Sequence, residues 1–124
     1  MSTQTPLSRV EGLGAAHAGT KHFWRQRVTA VALVPLSLWF VYSCVALIGA
    51  ERQNALAFLK MPVNAILLGL FVVTAAIHMA LGLQMVIEDY IHREGSKIAL
   101  LLLNQFFACA VAVTCLFALA KIVF

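Results

Sequence analysis

Charge is what this sequence has least of. Of 124 residues only 11% are Asp, Glu, Lys or Arg, while 62% are hydrophobic and the mean hydropathy is +0.91. A globular domain of this size carries about 25% charged residues and about 45–50% apolar ones. So few polar side chains cannot cover a water-soluble globule. Cysteine is scarce too: Cys44, Cys109 and Cys115 are odd in number, lie in apolar runs and show no metal-type spacing, which excludes a disulfide scaffold. Low-complexity disorder is excluded because disorder requires low hydrophobicity. What remains is an integral membrane protein.

Asp, Glu, Lys and Arg are absent from three long stretches, Val28–Ala50, Met61–Ile87 and Ile98–Ala120. Each exceeds the roughly 20 apolar residues that a helix needs to cross a hydrocarbon core of about 30 Å. A membrane β-barrel would alternate polar and apolar residues in segments of about ten. The run from Ala99 to Leu103 does not alternate. The fold class expected is an all-α membrane protein of three transmembrane helices, since lipid requires each backbone group to be satisfied within its segment. The domains expected are an N-terminal segment over 1–27 and a three-helix anchor over 28–124, with spans near 28–50, 62–87 and 98–120.

The linkers agree with this division. Glu51 to Asn54 begin a short first connection that closes at Lys60 and Pro62, and proline suits the first turn of a helix. Glu88 to Lys97 form the second, with Gly95 as the expected turn or helix-stop signal. Pro35 lies inside the first span, where membrane helices tolerate it. No internal repeat is present, and three spans with few polar groups argue against a self-contained transporter.

Lys and Arg in the flanks set the orientation. Arg9, Lys21, Arg25, Arg27, Arg93 and Lys97 face one side, against Arg52, Lys60 and Lys121 on the other. The N-terminus and second loop are therefore expected in the cytoplasm (the matrix, if mitochondrial), and the C-terminus in the periplasm. No cleavage site follows a short apolar core, so residues 1–27 are not read as a secretory signal. Without a clear transit peptide, a bacterial inner membrane is the expected location, or the mitochondrial inner membrane if the chain is eukaryotic. The net charge of +4 points to anionic lipid or an acidic partner rather than nucleic acid.

Within the spans, His78 is the side chain that packing does not explain. It precedes Glu88 by ten residues, about 15 Å of helix rise, which puts it near mid-bilayer. Ionisable residues at that depth are functional-site candidates, and neutral imidazole is a good axial ligand for haem iron. The plain alternative is a hydrogen bond to a neighbouring helix. His78, Gly82, Met85 and Asp89 fall on one stripe, with Ala75 a turn earlier. Small residues beside the imidazole would admit a flat macrocycle or, equally, a close helix. Either way, this face should be buried against protein.

Glu88, Asp89, Tyr90 and His92 follow at the end of that span. A phenol and carboxylates at the boundary can hydrogen-bond a quinone carbonyl and relay protons. Tyrosine is also an ordinary interfacial anchor, and Tyr90 is about 120° from His78 around an ideal helix. Lys21, His22, Trp24, Arg25 and Arg27 mark the start of the first span. An arginine there suits haem propionates or a quinone oxygen, or serves as a positive-inside anchor. Asn104, Gln105 and Thr114 read as interhelical hydrogen-bonding groups, and the cysteines as small buried hydrophobes.

The segment from His78 through Gly82 and Glu88 to Asp89-Tyr90 resembles the hydrophobic membrane anchor subunits of succinate dehydrogenase, respiratory complex II. In that family a haem-ligating His is followed by Gly at four residues and Asp-Tyr at eleven and twelve, as here. The stretch Lys21-His22-Phe23-Trp24-Arg25-Gln26-Arg27-Val28-Thr29-Ala30 is similar to a His-Trp-Trp-x-Gln-Arg-x-Thr-Ala pattern of α-proteobacterial anchors, with Phe23 departing from it. The resemblance implies that His78 is one axial ligand of a haem b shared with a partner cytochrome b subunit. It implies that Tyr90 hydrogen-bonds ubiquinone, the substrate, with Asp89 beside it for proton supply, and that Arg27 and His22 lie near the haem propionates and quinone pocket. The implied partners are the cytochrome b, iron–sulfur and flavoprotein subunits, with membrane lipid around them.

Such a chain would be no enzyme alone, because 124 residues leave no room for a flavin domain or an iron–sulfur cluster. Two other readings stay open. The anchor of a quinol:fumarate reductase runs the same electron path in reverse. A non-catalytic packing or assembly protein would use His78 as structural glue and hold no haem.

Overall fold

The computed structural model describes the backbone of residues 14–124 and side chains from Gly19 onward. Arg9, and with it the first part of the 1–27 segment, lies outside the described residues. Four helices follow in order: α1 (Gly14–Ala46), α2 (Arg52–Lys60), α3 (Pro62–Tyr90) and α4 (Glu94–Val123). Three are long and apolar enough to cross a membrane, over Gly19–Ala46, Pro62–Tyr90 and Glu94–Val123. At 1.5 Å per residue each is about 42–45 Å long, longer than a hydrocarbon core of about 30 Å, so each must tilt or project beyond it.

The ends of these helices differ from the boundaries read from composition. The first apolar run continues to Ala50, but α1 stops at Ala46 in a turn closed by Ile48 N–H to Val45 O at 3.2 Å and Ala50 N–H to Leu47 O at 3.1 Å. Gly49 has φ +75°, the left-handed region that favours glycine. α1 begins before Val28 and runs unbroken through Pro35.

The first connection is not a plain loop. Its nine residues Arg52–Lys60 form α2, whose half-buried Ala55, Leu56, Phe58 and Leu59 face the bundle while Arg52, Gln53, Asn54 and Lys60 are exposed. α2 packs on both α3 and α4. Asn64 Nδ2 donates to Phe58 O at 2.9 Å, tying it to the start of α3, and Pro62 takes the first-turn position expected of it.

Gly95 does not stop a helix. α3 ends at Tyr90 because Ile91 and Arg93 are extended (φ −101° and −77°), and Gly95 falls in the first turn of α4. Lys97 Nζ donates to Glu88 O at 3.3 Å, so a cation satisfies one carbonyl left open at the α3 terminus.

α3 is the central helix, with α1 and α4 packed against it. Phe40 of α1 stacks on Phe71 at 4.7 Å between centroids, and Gly69 faces Leu116 and Leu119 of α4. Among the described residues the buried ones are few: Ser43, Ala76, Ala80, Leu81, Asn104 and Ala108. Asn104 Nδ2 donates to Ala80 O at 2.8 Å and bridges α4 to α3 as expected, whereas Gln105 and Thr114 are exposed. Cys44, Cys109 and Cys115 are free and exposed rather than buried.

Candidate functional site

α1 turns a polar edge toward α3. His22, Gln26 and Thr29 lie at i, i+4 and i+7, which aligns them on one face. His78 of α3 meets this edge in mid-helix: its Nδ1 lies 3.0 Å from Thr29 Oγ1. Gly82, one turn further on, stands opposite Gln26. A Cβ built at Gly82 would come 3.7 Å from Gln26 Nε2, an ordinary contact with a flexible side chain. Packing within this chain therefore does not require a glycine at that position.

Two polar atoms on this edge are enclosed without a hydrogen-bond partner, His22 Nε2 and Gln26 Oε1. Leaving a buried polar atom unsatisfied costs about 1–3 kcal/mol. The edge therefore carries two polar atoms that the chain itself does not satisfy.

The predicted stripe is only partly covered. His78 and Gly82 are half-buried against α1, but Met85 is 46% exposed, and Asp89 is exposed as well. Tyr90 is the last residue of α3 and 76% exposed, and its carbonyl accepts from His92 Nδ1 at 3.2 Å. Glu88 accepts from Gln84 Nε2 at 2.8 Å through its side chain. Arg27 lies on a neighbouring face of α1, its guanidinium 5.0 Å from the centre of the Phe23 ring. Among the predicted residues, then, His22 and His78 share the α1–α3 seam. Asp89 and Tyr90 sit at the α3 terminus, and Arg27 lies outside the seam.

Thr29 and Gln26 are the members that sequence reasoning passed over. The signal was available: three polar residues at i, i+4 and i+7 in an apolar helix mark one face for a polar contact. A groove of about 680 Å³ opens on another side of the seam, between α1, α3 and α4, over Ala76, Ala80 and Ala108. Thr29 borders it, with Arg25, Gln84 and Gln105. Among the described residues no three His, Cys, Asp or Glu side chains gather to hold a metal ion, and His78 has Nδ1 against Thr29 with Nε2 on the other side of the ring.

Residues 1–116 match the family model of the succinate dehydrogenase/fumarate reductase transmembrane subunit. The chain is 35% identical over 117 residues to the succinate dehydrogenase hydrophobic membrane anchor subunit of Paracoccus denitrificans, covering 94% of this chain and 90% of that one. It is 39% identical over 85 residues to the subunit of the same name in Rickettsia bellii, covering 68% of each. With that of Rickettsia conorii the identity is 31% over 108 residues, 86% of this chain and 85% of the relative. No solved structure matches the chain.

Proposed function

We propose, from the premise that this chain belongs to the succinate dehydrogenase/fumarate reductase transmembrane subunit family, that it anchors a succinate:quinone oxidoreductase in a bacterial inner membrane. In this reading the N-terminus is cytoplasmic, and the chain supplies half of a haem b site and part of a ubiquinone site. The partners are the cytochrome b, iron–sulfur and flavoprotein subunits. Succinate oxidation is preferred to fumarate reduction because the three relatives carry the former name.

One observation carries the haem assignment: a mid-helix imidazole held through Nδ1, on an edge where His22 Nε2 is enclosed and unpartnered. His78 would be the residue of this chain that holds a haem, and a partner subunit would supply the second protein ligand. The haem propionates would accept hydrogen bonds from donors such as a His22 Nε2–H or the neighbouring Arg27 guanidinium. Gly82 leaves the helix surface flat beside the imidazole. When bound, the haem supplies a one-electron redox centre within the membrane.

The quinone assignment rests on Tyr90 and Asp89 at the exposed end of α3. The Tyr90 hydroxyl donates to a quinone carbonyl oxygen, and Asp89 renews the proton from the aqueous side. Both face outward, where an iron–sulfur partner would dock.

The test is a reduced-minus-oxidised optical spectrum of the co-expressed complex, wild type against His78→Ala, with succinate–quinone reductase activity measured in parallel. Loss of the b-type bands is the expected result. Unchanged bands in an assembled variant would remove His78 from the site. A wild-type complex without haem would favour the packing-protein reading.

A further inference from the structure

Thr29 holds the position that decides which nitrogen of His78 is available. Its Oγ1 lies 2.8 Å from Arg25 O, 3.1 Å from Gln26 O and 3.0 Å from His78 Nδ1. A hydroxyl has one proton and two lone pairs. Two carbonyl oxygens that close would repel Oγ1 unless its proton lies between them, and back-bonding to the i−4 carbonyl is the ordinary choice for threonine in a helix. The proton is therefore committed to the α1 backbone. Toward His78, Oγ1 presents a lone pair, so the proton on that side belongs to Nδ1.

We infer that Thr29 is a positioning residue for His78: its hydroxyl accepts from Nδ1–H, fixes the neutral tautomer whose lone pair is on Nε2, and sets the ring orientation. The inference rests on the reading of His78 as a haem ligand and extends it to the next shell. A ligating histidine whose other N–H is hydrogen-bonded is oriented and made more basic by that bond. Here the acceptor is itself a donor to a carbonyl, and such chains strengthen each member. Thr29 also suits the task mechanically, because a β-branched side chain has few χ1 wells and the back-bond selects among them. A more basic ligand favours the ferric state, so the bond lowers the reduction midpoint of the bound haem.

The experiment compares Thr29→Val and Thr29→Ser in the assembled complex by redox titration of the b-type bands and by the low-spin electron paramagnetic resonance spectrum. Valine keeps the shape and removes the acceptor; serine keeps the hydroxyl. The expected result is an upward shift of the midpoint and a changed g-value spread in the valine variant, with serine restoring both. A valine complex with the wild-type midpoint and spectrum would overturn the inference. If valine prevents assembly, Thr29→Ala takes its place against serine, and equal midpoints in that pair overturn it as well. His78→Ala separates the two levels: loss of haem there with an unmoved Thr29→Val midpoint sinks the role of Thr29 alone, whereas retention of haem sinks the ligand reading and this inference together.

Discussion

A glycine that its own chain does not need is the most informative residue in the seam. An added Cβ at Gly82 meets only the end of Gln26, at 3.7 Å. In a helix interior, glycine is less favourable than alanine by about 0.5–1 kcal/mol. Gly82→Ala should therefore leave the level of the chain in the membrane unchanged or higher. If the bare surface serves a macrocycle, Gly82→Leu should lower haem per complex while chain levels hold, as a pyridine haemochromogen assay against immunoblotting would read. A parallel fall of both quantities would mean that the glycine serves helix packing after all. The unpartnered Gln26 Oε1 and His22 Nε2 extend the same logic. Gln26→Leu removes an unsatisfied oxygen, so the isolated fold should not suffer, and any lost haem reports on a partner from outside.

At the scale of elements, two junctions carry specific expectations. Gly49 adopts φ +75° between α1 and α2. A side chain in the left-handed region costs roughly 1–2 kcal/mol, so Gly49→Val should destabilise the chain by about that amount in a detergent-unfolding titration. Gly95→Ala, in the first turn of α4, should be neutral in the same assay; an equal loss from both would contradict the assigned turn. Between α3 and α4, Asn104 is 8% exposed and donates to Ala80 O, with Oδ1 left unpaired. Interhelical hydrogen bonds in membranes average about 0.6 kcal/mol and reach about 1.7. Asn104→Leu should cost no more than that, since it also removes the orphaned oxygen.

These elements also show what was legible in the chain alone. Three spans stood out because an uncharged apolar run of more than about twenty residues matches the thickness of a bilayer and exceeds what a small soluble core can bury. α2 was hidden because nine residues of mixed polarity give no membrane-scale signal and are short for an isolated helix. Its helicity is supported by packing on α3 and α4 and by the bond from Asn64 to Phe58 O. Gly95 was misread, and Gly49 went unread, because composition locates glycines but not the residue whose φ turns positive. His78 was legible because an ionisable group at that depth is rare. Its bond to Thr29 was not, because that pairing depends on how α1 is rotated against α3, which no local pattern specifies.

For the whole molecule, the excess of Lys and Arg on the N-terminal side and second loop predicts an orientation that can be read directly. A reporter active only in the periplasm should work when fused after Phe124 and fail when inserted in the 91–93 connection. The reverse pattern would invert the proposed topology and move Tyr90 away from any cytoplasmic iron–sulfur partner.

The thinness of the buried core has a further consequence. Among the described residues only Ser43, Ala76, Ala80, Leu81, Asn104 and Ala108 are buried, and the α1–α3 seam leaves His22 Nε2 and Gln26 Oε1 without partners. Anything that binds the folded form alone raises its stability by mass action. Under the proposed function the binders would be a haem and the neighbouring subunits, and the lifetime of the chain in the cell would then measure their supply. Copies made in surplus keep enclosed polar atoms without partners and should be cleared by membrane proteases. Stoichiometry within the complex would then need no dedicated counting device: the orphaned atoms of His22 and Gln26 would do the counting, chain by chain.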